Sequence, residues 1–207
     1  MKSLKFLVTG LLIFGASTLQ AQNEADNSTD RTPSLGVKGG VNFANLIGND
    51  LDDQRSRTSF HVGVVGELPV ADIFSLQAEV LYSGQGVKAK VPAGGILGGS
   101  DDVEYQLDYI NVPVLAKFYI TKGLSVEAGP QFDFLVNEEY DFNPDSDPGD
   151  VETNNAEKFG FGVAGGLTFQ TEMGLFASGR YTYGFTDVIE DADIHNSVFQ
   201  ISIGYKF

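Results

Sequence analysis

From Leu35 onward, large apolar residues recur at every second position, in runs separated by polar stretches. The last run is the plainest: in VFQISIGYKF (198–207), Phe199, Ile201, Ile203, Tyr205 and Phe207 alternate with Gln200, Ser202, Gly204 and Lys206. A period of two describes a strand with one apolar and one polar face. Seven earlier runs repeat it. Their apolar sets are Leu35, Val37, Val41, Phe43; Phe60, Val62, Val64, Leu68; Phe74, Leu76, Ala78, Val80, Tyr82; and Ile110, Val112, Val114, Ala116, Phe118. Then follow Leu124, Val126, Ala128, Phe132, Phe134; Phe159, Phe161, Val163, Leu167, Phe169; and Leu175, Ala177, Tyr181, Tyr183, Phe185. The pattern predicts eight strands, each near the roughly 9–11 residues that a tilted strand needs to cross a bilayer.

The connections alternate in length. Residues 45–57, 85–102, 137–157 and 186–196 are long, whereas 69–73, 121–123 and 172–174 are short. This is the plan of an all-β, eight-stranded antiparallel up-and-down barrel in an outer membrane, with short periplasmic turns and long outer loops. On that plan the last strand pairs with the first, no edge remains, and both termini are periplasmic.

A soluble barrel with the apolar set turned inward is the rival. Against it, the polar face of the sixth run is Gly160, Gly162, Ala164, Gly166 and Thr168, which suits a crowded lumen better than a wet surface. The aromatics also fall at the two ends of the runs, with Val, Ile, Leu and Ala mostly between. Phe43, Phe60, Tyr82, Phe134, Phe159, Phe185 and Phe199 lie at one end, and Phe74, Phe118, Phe169, Tyr205 and Phe207 at the other. Two aromatic girdles imply two membrane interfaces.

Composition adds a compartment. MKSLKFLVTGLLIFGASTLQA (1–21) has two lysines, an apolar run too short to span as a helix, and a small-residue end, so it predicts a secretory signal. Residues 22–34 form a polar tail without periodicity, expected to be a disordered periplasmic segment ahead of a barrel over 35–207. Losing Lys2 and Lys5 moves the formal charge from −15 to −17, which disfavours a nucleic-acid partner. The chain has no cysteine, which excludes a disulfide framework and thiol catalysis, and two histidines offer little for a metal site. No cofactor is expected. The expected partners are outer-membrane lipid, lipopolysaccharide and, during assembly, the insertion machinery.

Candidate chemistry concentrates in the lumen. The inward faces carry Lys38, Lys117, Lys158, Arg180 and Lys206 against Glu67, Glu79, Glu127 and Asp133. Buried charges require partners, so this set predicts a salt-bridged plug rather than an ion path. The turn 121–123, with Gly123 left-handed, would place Lys117 opposite Glu127. The turn 172–174 would place Gly166 opposite Arg180, leaving the guanidinium room to reach across, and Gly165 beneath the Tyr181 ring. Pro113 and Pro130 each remove a ladder hydrogen bond, which predicts a break near Val114 and Pro130, relieved by a bulge or by Asn111 and Gln131. In the loop 137–157, eight acids and no base make Asp145, Asp147 and Asp150 a candidate cation-binding set, although the spacing misses the calcium-loop motif. Ser59 and His61 share a face and raise a lipid-directed hydrolase, with no third partner in view.

Several segments carry a family resemblance. GVKGGVNFANL (36–46), LYSGQG (81–86), LDYINVPVLAKFY (107–119), GPQFDFL (129–135) and ISIGYKF (201–207) resemble the PorT-type outer-membrane beta-barrel domain common in Bacteroidota. The resemblance implies a small eight-stranded outer-membrane barrel, with a terminal strand whose Tyr205 and Phe207 serve as an assembly signal. It implies no catalytic residues. The function expected is therefore a non-enzymatic barrel, structural or adhesive, displaying acidic outer loops. An accessory role in a type IX-like secretion or gliding machinery is the alternative that the founding member suggests, and a lipid hydrolase is a further one.

Overall fold

A computed structural model describes residues 32–48, 55–92, 100–141, 150–152, 157–187 and 194–207. The signal 1–21, most of the tail 22–34, and Asp145 and Asp147 lie outside the described residues.

Among the described residues there are nine strands: β1 (Ser34–Gly48), β2 (Arg55–Ala71), β3 (Phe74–Pro92), β4 (Ser100–Tyr119), β5 (Leu124–Asp141), the short β6 (Asp150–Glu152), β7 (Phe159–Gln170), β8 (Leu175–Asp187) and β9 (Ile194–Lys206). Each barrel strand pairs antiparallel with its chain neighbour, β5 with β7, and β9 closes on β1 from Gly36 against Lys206 to Gly48 against Ile194. The result is a closed eight-stranded barrel with β6 appended to the far end of β5.

The apolar sets face out. Val62, Val64, Leu167, Ile201 and Ile203 are exposed, while Lys117, Arg180, Glu79 and His61 are buried inside, so the inward-apolar soluble barrel is ruled out. Aromatic rings pair at both rims: Phe43 with Phe199, Phe60 with Tyr82 and Phe134 with Phe159 at the loop end, Phe74 with Phe118 and Tyr205 with Phe207 at the turn end.

Three expectations change. The long connections are partly strand, because β2 to β5 continue well past the loop-end girdle into residues read as loop. The first strand begins at Ser34, one residue inside the expected tail. Gly123 does not adopt positive φ; Gly174 does, at 89°, and a Cβ there would meet the Lys206 carbonyl oxygen at 2.2 Å. The turn after β4 is instead held by Ile120 and Thr121 N–H bonds to the Leu124 carbonyl, with Thr121 Oγ1 accepting from Leu124 N.

The proline region shows a break without a bulge. Between β3 and β4 the ladder stops after Ala78 opposite Val114 and resumes at Leu81 opposite Asn111. Between β4 and β5 it stops at Pro113 opposite Gln131 and resumes at Ala116 opposite Ala128. The register is the same on both sides of each gap: pairs are lost and no residue is inserted. Asn111 and Gln131 do not serve the freed carbonyls; both donate to Asp133 Oδ1.

Candidate functional site

The lumen is filled in layers, and each layer follows from which strands bring small residues opposite large ones. Gly166 stands opposite Arg180, and a Cβ at Gly166 would lie 3.0 Å from the Arg180 Cα, so the missing side chain clears the path for the guanidinium. Arg180 crosses to two carboxylates: Nη1 and Nη2 each reach Glu79 at 2.7 Å, while Nε at 3.0 Å and Nη2 at 2.6 Å reach Glu127. Lys38 adds 3.1 Å to Glu79, and Thr168 Oγ1 donates to Glu127 at 3.1 Å. Such bidentate, charge-assisted contacts meet the condition for burying ions in a narrow barrel.

Toward the turn end lies a second cluster. Lys117 pairs with Glu67 at 3.3 Å, Lys206 pairs with the same carboxylate, and Tyr119 donates to it as well. Gln77 joins the two clusters, its Oε1 accepting from Lys117 at 3.2 Å and Lys206 at 3.1 Å, its Nε2 donating to Glu79 at 2.7 Å. Lys117 does stand opposite Glu127 in register, yet its ion pair is with Glu67. Glu127 is taken by Arg180, whose planar fork fits a carboxylate better than the point charge of an ammonium.

Asp133 stands apart from this network. Its described partners are the amides of Asn111 and Gln131, the latter at 2.9 Å, and no described cation pairs with it. Lys158, expected inside, is exposed just before β7. A Cβ at Gly165 would find only the Glu127 carbonyl oxygen within 4 Å, so Tyr181 does not cover it; the Tyr181 hydroxyl accepts from Ser197 instead, at 2.7 Å.

Above the ions is a neutral layer. His61 Nδ1 lies 2.7 Å from Asn42 Oδ1 and Nε2 lies 2.8 Å from Ser202 Oγ, while Asn42 Nδ2 donates to Ser83 Oγ and the carbonyls of Phe60 and Gly84. With Asn42 Oδ1 as acceptor, Nδ1 carries the proton and Nε2 accepts from Ser202. His61 therefore takes Ser202 rather than Ser59, whose hydroxyl donates to the Gly84 carbonyl. This is the order of nucleophile, base and orienting amide, a triad that one-strand spacing could not reveal because Ser202 and Asn42 come from β9 and β1. All three are lumenal and at most 1% exposed.

The loop-end lumen then becomes apolar: Leu46, Val87, Tyr105, Leu107 and Tyr109 form a buried cluster, with Leu135 and Ile194 packed against it. Sequence reading missed this cluster, although Leu107, Tyr109 and Leu135 sit on the inward parity of their strands and carried the signal. Of the candidate cation set, Asp150 opens β6; among the described residues no group of three metal-ligating side chains assembles. Tyr205 and Phe207 project outward at the turn end with rings 6.4 Å apart, and Phe207 N bonds the Leu35 carbonyl across the closing seam.

A closed eight-stranded barrel with an apolar outer belt, two aromatic girdles and a sealed polar interior defines a small transmembrane β-barrel of the outer-membrane class. The sequence agrees: residues 20–190 match the family described as outer membrane protein beta-barrel domain, and the chain belongs to that family. Among solved structures it is similar to the neisserial surface protein A, with 13% identity, a TM-score of 0.58, and coverage of 86% of this chain and all of that one. It is also similar to Ail, the attachment invasion locus protein of Yersinia pestis, with 11% identity, a TM-score of 0.52 and the same coverage. No curated protein sequence matches the chain.

Proposed function

We propose that the protein is a non-enzymatic outer-membrane barrel, structural or adhesive, that presents acidic loops outside the cell with both termini in the periplasm. The sealed lumen carries this reading. Arg180, Lys117 and Glu79 are at most 2% exposed at mid-barrel, and a barrel whose interior is filled by paired ions offers its neighbours surfaces rather than a channel. The continuation of β2 to β5 past the loop-end girdle supports a binding role, since it raises strand and loop surface clear of the bilayer. Ail has been solved with the heparin analogue sucrose octasulfate; the eight acids and no base of 137–157 point this chain toward cationic partners instead. The burial of Ser202, His61 and Asn42 in the lumen supports the absence of hydrolysis. The test pairs planar-bilayer conductance with adhesion of cells carrying the intact or the 142–149-deleted protein. Silent bilayers and adhesion lost with the loop are expected; stable open channels would overturn the reading.

LDYINVPVLAKFY (107–119) supports placing the chain in the PorT-type branch of Bacteroidota, and through it the accessory secretion role. Periplasmic machinery recovered with the protein by cross-linking in native membrane would favour that role over adhesion.

A further inference from the structure

At the loop end, above the ion-filled layers, two strands of the wall part. The ladder between β7 and β8 ends at Gly162 opposite Gly184, although β7 begins at Phe159 and β8 runs on to Asp187. Beyond the last pair, Phe161 N–H bonds the Thr186 hydroxyl, at 3.0 Å, in place of a backbone carbonyl. On its other side β8 bulges away from β9 between Tyr183 and Asp187. Meanwhile β7 stays paired with β5 as far as Phe134 opposite Phe159. The outcome is a cleft at the level of the loop-end girdle, lined by lumenal Tyr109, Asp133 and Asn196 together with lipid-side Phe159 and Phe161. Gly160 and Gly184 form its gap. A Cβ on Gly160 would lie 3.3 Å from the Asp133 Cβ, and one on Gly184 would lie 3.7 Å from the Asn196 Cβ, so the glycines leave these two side chains uncovered.

The chemistry of the lining asks for a cation with donors. Among the described residues Asp133 has no ion-pair partner, and amides donate to its Oδ1. Asn196 Oδ1 is buried and has no hydrogen-bond partner among the described residues, its Nδ2 being used on Gln85. Glu157 and Asp187 stand on the rim. Aromatic rings suit an organic ammonium, whose attraction to a ring face survives where a strongly hydrated metal ion would keep its water. We propose that this cleft binds the ammonium group of a small amine at the membrane interface, with Asp133 as counter-ion, Asn196 as acceptor and Phe159, Phe161 and Tyr109 as ring walls. The amine comes either from a free solute or from an ethanolamine lipid headgroup. The proposal depends on the wall and its lining, not on the adhesive reading.

Amide shifts of isotope-labelled full-length barrel in maltoside micelles test it, with butylamine as probe and butanol and potassium chloride as controls. Saturable shifts at Gly160, Phe161, Gly184 and Asn196 with butylamine alone are expected. Asp133→Asn should weaken binding about tenfold, the loss of roughly one charge contact. Phe159→Ala, at an exposed rim position, should weaken it about threefold and keeps the proposal testable if Asp133→Asn fails to fold. Nanodiscs of phosphatidylglycerol with and without phosphatidylethanolamine separate the sources: the same shifts without added amine identify the headgroup, and shifts only on adding butylamine identify the solute. No saturable shift, equal shifts with butanol or potassium, or undiminished binding in both variants would overturn the proposal.

Discussion

Arg180 concentrates the energetics of the lumen in one residue. It makes four hydrogen bonds to two carboxylates and is 1% exposed, so truncation leaves Glu79 and Glu127 facing each other with Lys38 as the main remaining cation. Breaking a buried pair on one side costs about 3–5 kcal/mol, and Arg180→Ala is expected to fall there in a urea refolding titration. Arg180→Ala combined with Glu79→Ala should cost less than the two singles summed, because the second change removes the charge the first leaves unpaired. The same cycle distinguishes the two candidate partners of Lys117: strong coupling to Glu67, with which it pairs at 3.3 Å, and weak coupling to Glu127, which it merely faces. On the other side of the wall, Val163 is 41% exposed to the surroundings of the barrel. Val163→Arg at the midplane is expected to cost about 2–4 kcal/mol in lipid, whereas Thr168→Arg acts through crowding of a buried lumenal site. Equal tolerance of arginine at Val112, Val163 and Ile203 would contradict the lipid-facing assignment.

At the scale of the strand, β4 is the weak member. Each proline lacks the N–H that one neighbour needs, and the gaps fall on opposite sides: Pro113 opens the seam to β3, Pro130 the seam to β5. Val114 and Leu115 are therefore held on one side only, in a setting where an unserved carbonyl is costly. A Cβ at Gly129 would lie 2.1 Å from the Val114 carbonyl oxygen, so the glycine is what lets the two backbones stay close across the gap. Amide exchange should be faster at Leu115, Glu79 and Val80 than in the β7–β8 ladder between Gly162 and Gln170, and Pro113→Val should slow it. Uniform protection along β3, β4 and β5 would remove the idea that these prolines weaken the wall. The break was legible in advance because proline's missing donor is a local property. Its form was not, since whether a gap is met by a bulge or by tolerated separation depends on how the neighbouring strands are already tied.

For the whole molecule, alternation of connection length sets the topology. Tags inserted at residues 49–54, 93–99 and 188–193 are expected to be reachable on intact cells, and a tag at Lys122 to be hidden; the reverse pattern would invert the barrel in its membrane. The length of the strands beyond the girdle makes the loop end the larger surface.

The amino-acid sequence by itself determined the number of barrel strands, the face that meets lipid, both girdles and the Lys117 to Glu127 register, because each rests on a period of two or on turn length. It also placed every charged residue of the plug on the inward parity. What only the tertiary structure decided is who meets whom across the lumen. Arg180 lies opposite Gly166 by register, but its carboxylates come from β3 and β5, and the partners of His61 come from β1 and β9. Parity says that a side chain points inward; the tilt and closure of the barrel set its height and the strand it faces. The isolation of Asp133 and the cleft beside it arise for the same reason, since a wall opens where two strands part, and that depends on three-dimensional pairing rather than on any one run of residues.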